Sequence, residues 1–210
     1  MPAHTDFPFI IKVCGITNEE DAQVAIEAGA NALGFNFYEK SPRYITMEHA
    51  REIIEAIPGD YLKVGIFVDP APGEMTAVAL KVALDVVQIY GQLRAQWGQT
   101  WRVWQAVKPG ETKQLSGADA YLMDTPSSAF GGSGKAFDWM LARGRHDIII
   151  AGGLHAANVA EAIATASPWG VDACSRLESS PGKKDAAKLR AFVSAARAAF
   201  HLHMQQELSL

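Results

Sequence analysis

The sequence predicts an α/β fold of one domain, with eight parallel strands closed into a (β/α)8 barrel. Three observations predict it. Short β-rich runs alternate with helical patterns at a spacing of roughly 25 residues, the signature of βα units around a parallel sheet. The units number eight, the count that closes this kind of barrel. The chain has 210 residues, and such barrels take roughly 200 to 250, which leaves no room for a second core. An open doubly wound sheet would compete, but no Gly-x-Gly-x-x-Gly follows the first strand. The domain is therefore expected to span 1–210, with 201–210 as a C-terminal tail.

The first strand is read at 9–14, FIIKVC. Asn18 caps a helix over 19–28, with acidic residues in its first turn and Gly29 at its end. The second strand takes 32–37. Thr46 caps a helix whose Ala50, Ile53, Ile54 and Ile57 share one face. The third strand is 63–68, followed by an apolar helix over 73–83. The fourth strand is 85–90, and a weakly patterned helix is expected after Gly91. Strand five is 102–107 and strand six is 120–124. A Gly/Ser-rich loop and a short helix from 137–141 come next. Strand seven is 147–151, with a helix over 158–166. Strand eight is 170–173, and a strong final helix covers 184–199. Eight strands and about eight helices thus alternate in the manner of a TIM barrel.

Composition excludes several function classes. Lys and Arg total 19 against 23 Asp and Glu, a net charge of −4. No basic cluster is dense enough to track a nucleic-acid backbone, and Lys183-Lys184 reads as a solvated face. Cys14 and Cys174 lie far apart without metal-ligand spacing, so a cytoplasmic, reducing setting fits better than a disulfide framework. No apolar run approaches the roughly 18 residues of a membrane span. Residues 1–6 lack a basic segment followed by an apolar one, so no signal peptide is expected.

In such barrels the working residues lie at the carboxyl ends of the strands and in the loops just beyond. Gly152-Gly153 after strand seven and Ser175 after strand eight stand where this fold cradles phosphate on backbone N–H groups. Taken alone, Gly-Gly is more often a tight turn. Cys14 and Asp124 end strands one and six and could face each other across the mouth. A thiolate can take a proton from carbon, and a carboxylic acid can protonate a ring oxygen. Each has a plainer reading, Cys14 as a small buried hydrophobe and Asp124 as a turn residue. Arg43 suits bidentate carboxylate recognition, or is a solvated surface arginine. Gly131-Gly132-Ser133-Gly134 is either a flexible linker or a segment that closes over the site.

These residues fall into motifs. Lys12-Val13-Cys14-Gly15-Ile16-Thr17 opens the series. Gly34-Phe35-Asn36-Phe37-Tyr38 is followed by Ser41-Pro42-Arg43-Tyr44-Ile45, and Val64-Gly65-Ile66-Phe67-Val68 forms strand three. Asp124-Thr125 precedes the glycine-rich loop and Phe137-Asp138-Trp139. Ala151-Gly152-Gly153-Leu154 leads to Asn158-Val159, and Ser179-Ser180-Pro181-Gly182 leads to Lys184-Asp185. In order and nearly from end to end, this series resembles the phosphoribosylanthranilate isomerases of tryptophan biosynthesis.

The resemblance implies an Amadori rearrangement of N-(5′-phosphoribosyl)anthranilate to 1-(2-carboxyphenylamino)-1-deoxyribulose 5-phosphate. It implies Asp124 as general acid, Cys14 as general base, and Arg43 on the anthranilate carboxylate. Gly152, Gly153 and Ser175 would hold the phosphate. No metal or organic cofactor is implied, since the imine formed on ring opening is the electron sink. The expected partner is a small phosphorylated substrate, with the chain a monomer or a homodimer. Three positions depart from the family pattern. Tyr90 replaces a histidine, Cys174 a serine and Arg176 a glycine. Arg176 either restricts the loop, should that residue need φ > 0, or supplies a cation to the phosphate, which the surviving flanks favour. A related phosphate-binding barrel enzyme, or a binding protein without turnover, would be the alternatives. The cysteine motif and Asp124 argue against both.

Overall fold

Eight parallel strands follow one another in chain order and close on themselves, β1 pairing with β8. The computed structural model describes residues 7–94, 96–111, 115–124 and 137–207. The strands are β1 (Ile10–Cys14), β2 (Ala32–Asn36), β3 (Leu62–Val68), β4 (Val86–Tyr90), β5 (Arg102–Val107), β6 (Ala120–Met123), β7 (Ile148–Ile150) and β8 (Gly170–Ala173). A two-stranded ribbon, β9 (Glu178–Ser180) and β10 (Lys183–Lys184), follows β8. The α-helices are α1 (Glu19–Ala28), α2 (Met47–Ala56), α3 (Pro72–Val82), α4 (Val159–Ala166) and α5 (Ala186–Glu207).

The strands read as near-continuous apolar runs because both faces are covered. Alternate residues divide between two cores. Ile11, Val13, Val87, Ile89, Tyr121 and Met123 pack outward with helix residues such as Ala25, Ile53 and Leu189. Ile10, Val86, Trp104, Ala120, Leu122 and Ile149 pack together inside. Trp104 is fully buried there and meets Trp169 edge to face, with ring centroids 5.8 Å apart. Because successive side chains alternate, the inner row continues toward the carboxyl ends. It delivers Lys12 then Cys14 on β1, Gln88 then Tyr90 on β4, and Asp172 then Cys174 along β8.

Sequence signals set the helix starts as expected in α1 and α2. Asn18 Oδ1 accepts from the Asp21 N–H at 2.8 Å, and Thr46 Oγ1 accepts from the His49 N–H at 3.2 Å. The expectation of about eight helices is corrected to five α-helices among the described residues. After β4 there is one 3-10 turn, Trp97–Gln99, and after β6 another, Trp139–Ala142. The first connection is short and holds Gly91 and Gly98, and buried Trp97 covers the barrel in place of a helix. Between β5 and β6 the described residues form no α-helix, where Pro109-Gly110 and Gly117 favour turns. The final helix runs past 199 to Glu207. Residues 1–6 and the loop expected at Gly131-Gly132-Ser133-Gly134 lie outside the described residues.

Candidate active site

A cavity opens at the carboxyl ends of the strands. Cys14, Asp124 and Arg43 all line it, together with Tyr90, Asp172 and Cys174. Cys14 arrives from β1 and Asp124 from the residue after β6. Arg43 comes from the loop after β2. That loop folds back on its own strand: the Ile45 N–H donates to the Asn36 carbonyl at 3.0 Å. Ser41 Oγ accepts from Asn36 Nδ2 and from the Arg43 N–H, each at 3.1 Å, which turns Arg43 toward the barrel mouth.

Gly15 is required where β1 ends. Its φ is +72°, and a Cβ there would fall 2.8 Å from Arg43 Cδ and 3.0 Å from Cys174 Sγ. The Lys-Val-Cys-Gly motif thus brings arginine and both cysteines within one packing distance of the strand end.

Beneath the cavity, Lys12 Nζ donates to Asp172 Oδ1 at 2.7 Å, with no part of the lysine side chain exposed. Burial pulls the Lys12 ammonium down, but Asp172 and Cys14 outweigh it and hold the group above its ordinary value. The Cys14 thiol is lowered to about 7. A hydrogen bond from Cys174 is the largest cause; burial opposes it, and the Lys12 charge assists. Cys174 is pushed well up, by that same bond and by burial. Tyr90 Oη donates to Asp124 Oδ2 at 3.4 Å, and burial followed by the nearby Asp124 keeps the phenol well above its ordinary value.

Arg43 is not idle. Its Nε and Nη2 fork onto Glu178 Oε1 and Oε2 at 2.8 and 2.7 Å. Lys184 Nζ reaches Glu178 Oε1 at 3.2 Å and Cys174 Sγ at 3.7 Å. Burial opposes ionisation of Glu178, but the hydrogen bonds from Arg43 and Lys184 outweigh it and hold the carboxyl below its usual range. Lys184, expected on a solvated face, instead has a fully buried side chain, held by Glu178.

The remaining expected residues are not among those that line this cavity. Gly152 and Gly153 follow β7 with φ of +80° and +70°, a conformation that favours glycine. Asn158 fixes that loop: its Oδ1 accepts from the His155 N–H at 2.8 Å, and its Nδ2 donates to the Gly153 carbonyl at 3.2 Å. Ser175 and Arg176 lie in the 3-10 turn Ser175–Leu177 after β8. They line a groove with His155 and Lys188, so the loops after β7 and β8 meet there. Arg176 is not among the residues with positive φ, so arginine fits this turn without the strain foreseen for a glycine-only position.

Sequence reasoning missed Lys12, Asp172, Glu178 and Lys184 as parts of the site. The first two carry a legible signal, since each stands two residues before a cysteine of the mouth, on the same face. Among the described residues, no group of three His, Cys, Asp or Glu side chains is placed to hold a metal ion.

A family model described as N-(5′-phosphoribosyl)anthranilate (PRA) isomerase matches residues 11–195. An N-(5′-phosphoribosyl)anthranilate isomerase of Solibacter usitatus is 46% identical over 198 residues, covering 90% of this chain and 98% of the relative. The crystal structure of phosphoribosyl anthranilate isomerase from Thermotoga maritima has a TM-score of 0.81 at 37% identity, covering 90% of this chain and 99% of that one. A phosphoribosyl anthranilate isomerase in complex with reduced 1-(o-carboxyphenylamino)-1-deoxyribulose 5-phosphate has a TM-score of 0.76 at 34% identity, with coverage of 90% and 99%.

Proposed function

The chain belongs to the N-(5′-phosphoribosyl)anthranilate isomerase family, and we propose that it converts N-(5′-phosphoribosyl)anthranilate to 1-(2-carboxyphenylamino)-1-deoxyribulose 5-phosphate in tryptophan biosynthesis. The observation that carries this reading is that Cys14 and Asp124 line one cavity from separate strands, with the cysteine biased toward thiolate.

The chemistry needs an acid and a base in sequence. Asp124 gives its proton to the furanose ring oxygen; the C1′–O bond breaks, and the nitrogen lone pair forms the imine. Cys14 then removes the C2′ proton, the electron pair of that C–H bond forms the C1′–C2′ double bond, and the π pair of the C=N bond moves to the nitrogen. The enolamine tautomerises to the ketone. A thiolate suits this step because sulfur is basic enough near neutral pH once its charge is stabilised.

The two anionic ends of the substrate need two holders. Arg43 takes the anthranilate carboxylate with the N–H groups left beyond its pairing to Glu178, five donors being available in all. Backbone N–H groups of Gly152, Gly153 and Ser175 take the phosphate, with Arg176 adding a cation. The cavity and the groove lie side by side, as a ligand with a charge at each end requires. A cytoplasmic setting is supported by the free thiols of Cys14 and Cys174. No helix of the described residues is long and apolar enough to cross a membrane. Monomer and homodimer are both compatible with a cavity that Cys14, Arg43 and Asp124 of one chain line together.

The test is turnover of freshly generated phosphoribosylanthranilate, followed by loss of its fluorescence, on wild type and Cys14→Ala side by side. Decay with wild type and none above background with the variant is expected. A folded wild type without turnover refutes the activity, and an undiminished variant refutes the base.

A further inference from the structure

We propose that Glu178 is a positioning residue for carboxylate recognition: its carboxylate holds the Arg43 guanidinium in the orientation that receives the aromatic carboxylate of the substrate, before that substrate arrives. This deepens the reading of Arg43 as the holder of that group and rests on it.

The contact is a side-on fork. Arg43 Nε and Nη2 donate to Glu178 Oε1 and Oε2 at 2.8 and 2.7 Å. A guanidinium carries five N–H donors in one plane. The fork uses two of them on the Nε edge and leaves the edge formed by Nη1 and Nη2 for a second carboxylate. Arg43 lines the cavity with Cys14 and Asp124, whereas Glu178 is not among the lining residues. The pair is thus divided, with the arginine at the cavity and the glutamate outside its lining, both side chains largely buried.

Glu178 is anchored from several sides. Its Oε1 also accepts from Lys184 Nζ at 3.2 Å, from the Gly182 N–H at 3.3 Å and from the Cys174 thiol at 3.7 Å. Lys184 is the register partner of Glu178 across the ribbon, and its N–H donates to Asp21 Oδ2 of α1 at 2.8 Å. From α5, Lys188 Nζ donates to the Glu178 carbonyl at 3.0 Å. The ribbon is therefore fastened to α1 and α5, and its carboxylate is a fixed point for a long, flexible side chain on another loop. A free arginine loses rotamer freedom when a ligand fixes it, and holding it in advance removes that cost from binding.

The pairing does not cancel the arginine. Glu178 meets two cations, Arg43 and the buried Lys184. Among these three side chains one positive charge is left over, and an incoming carboxylate is attracted to it.

Two ligands read the effect by calorimetry: reduced 1-(o-carboxyphenylamino)-1-deoxyribulose 5-phosphate, and the same molecule with phenyl in place of carboxyphenyl. Glu178→Gln keeps the shape and removes the charge and one acceptor of the fork. It is expected to raise the Kd of the carboxylate ligand about five- to tenfold and to leave that of the phenyl ligand within about twofold. An equal loss for both ligands, or a loss for neither, overturns the proposal. Arg43→Ala separates this from the reading beneath it. A loss confined to the carboxylate ligand in Arg43→Ala, with none in Glu178→Gln, overturns the positioning role and leaves Arg43 as the holder. No selective loss in Arg43→Ala overturns both. Wild-type protein gives a readout independent of any variant's folding, through the Arg43 Nε–H signal in nitrogen-15 NMR, assigned through bonds. A slowly exchanging signal already present without ligand, and kept when the carboxylate ligand binds, supports the proposal. A guanidinium that becomes ordered only when that ligand is added overturns it.

Discussion

Lys12 and Asp172 are register partners across the seam that closes the barrel, and their side chains meet at 2.7 Å one layer below Cys14 and Cys174. Each charge would be expensive to bury alone; together they form a polar floor under the reacting groups. The lysine also places a positive charge beneath Cys14, which favours its thiolate.

Lys12→Met leaves Asp172 buried without its counter-charge and is expected to cost about 3–5 kcal/mol of stability. Adding Asp172→Leu should recover part of that loss. Urea unfolding of the two variants decides it. A single variant as stable as wild type would show that the two charges are not coupled. The folded Lys12 value is raised, so the stabilisation is complete below the ordinary lysine value and lost only as pH climbs above it.

The pH profile of kcat/KM should carry an acid limb set by Cys14. The base works deprotonated, and its value is lowered to about 7, chiefly by the hydrogen bond from Cys174. Activity should therefore rise about tenfold per unit as pH approaches 7 from below, then level off. An unperturbed cysteine would place the limb near about 8.5. A limb found there would mean that the stabilising contacts are not realised in solution.

Tyr90 stays neutral because burial and then Asp124 push its phenol up, so it acts as a donor. Tyr90→Phe keeps the ring and removes that single bond to the candidate acid. The expected cost is about five- to tenfold in kcat, the worth of one hydrogen bond. Steady-state kinetics with a matched thermal melt would check it. An unchanged kcat would mean that the 3.4 Å contact does not orient Asp124.

How much of this was legible depended on the range of the signal. Local chemistry read well: Asn18 and Thr46 cap where they were expected to, and the eight strands stand in order. The connection after β4 read poorly, because among the described residues buried Trp97 and the 3-10 turn Trp97–Gln99 stand where a helix was expected, whereas after β6 the short helix expected over 137–141 is met by the 3-10 turn Trp139–Ala142. Cys14 and Asp124 were legible as candidates from their strand ends, and both line the cavity. Their surroundings were not. Glu178 and Lys184 come from the ribbon after β8, and the contact of Glu178 with Arg43 spans 135 residues of sequence. Lysine in an Ile-Ile-Lys-Val-Cys strand was a visible anomaly, but only register with Asp172 explains it.

Arg176 gives the sharpest test of the groove proposed to hold phosphate. It is exposed, it lines the groove with Lys188 and His155, and its turn demands no glycine conformation. Its removal should therefore weaken binding without disturbing the fold. Arg176→Ala is expected to raise KM about five- to tenfold with kcat unchanged, as when a charge-assisted contact made equally in ground and transition states is lost. Competitive inhibition by inorganic phosphate should weaken in parallel, and unfolding stability should stay within about 0.5 kcal/mol of wild type. Added salt should shrink the difference between the two proteins, because an exposed charge is screened. A variant that lowers kcat and kcat/KM equally would instead assign Arg176 an interaction made only in the transition state.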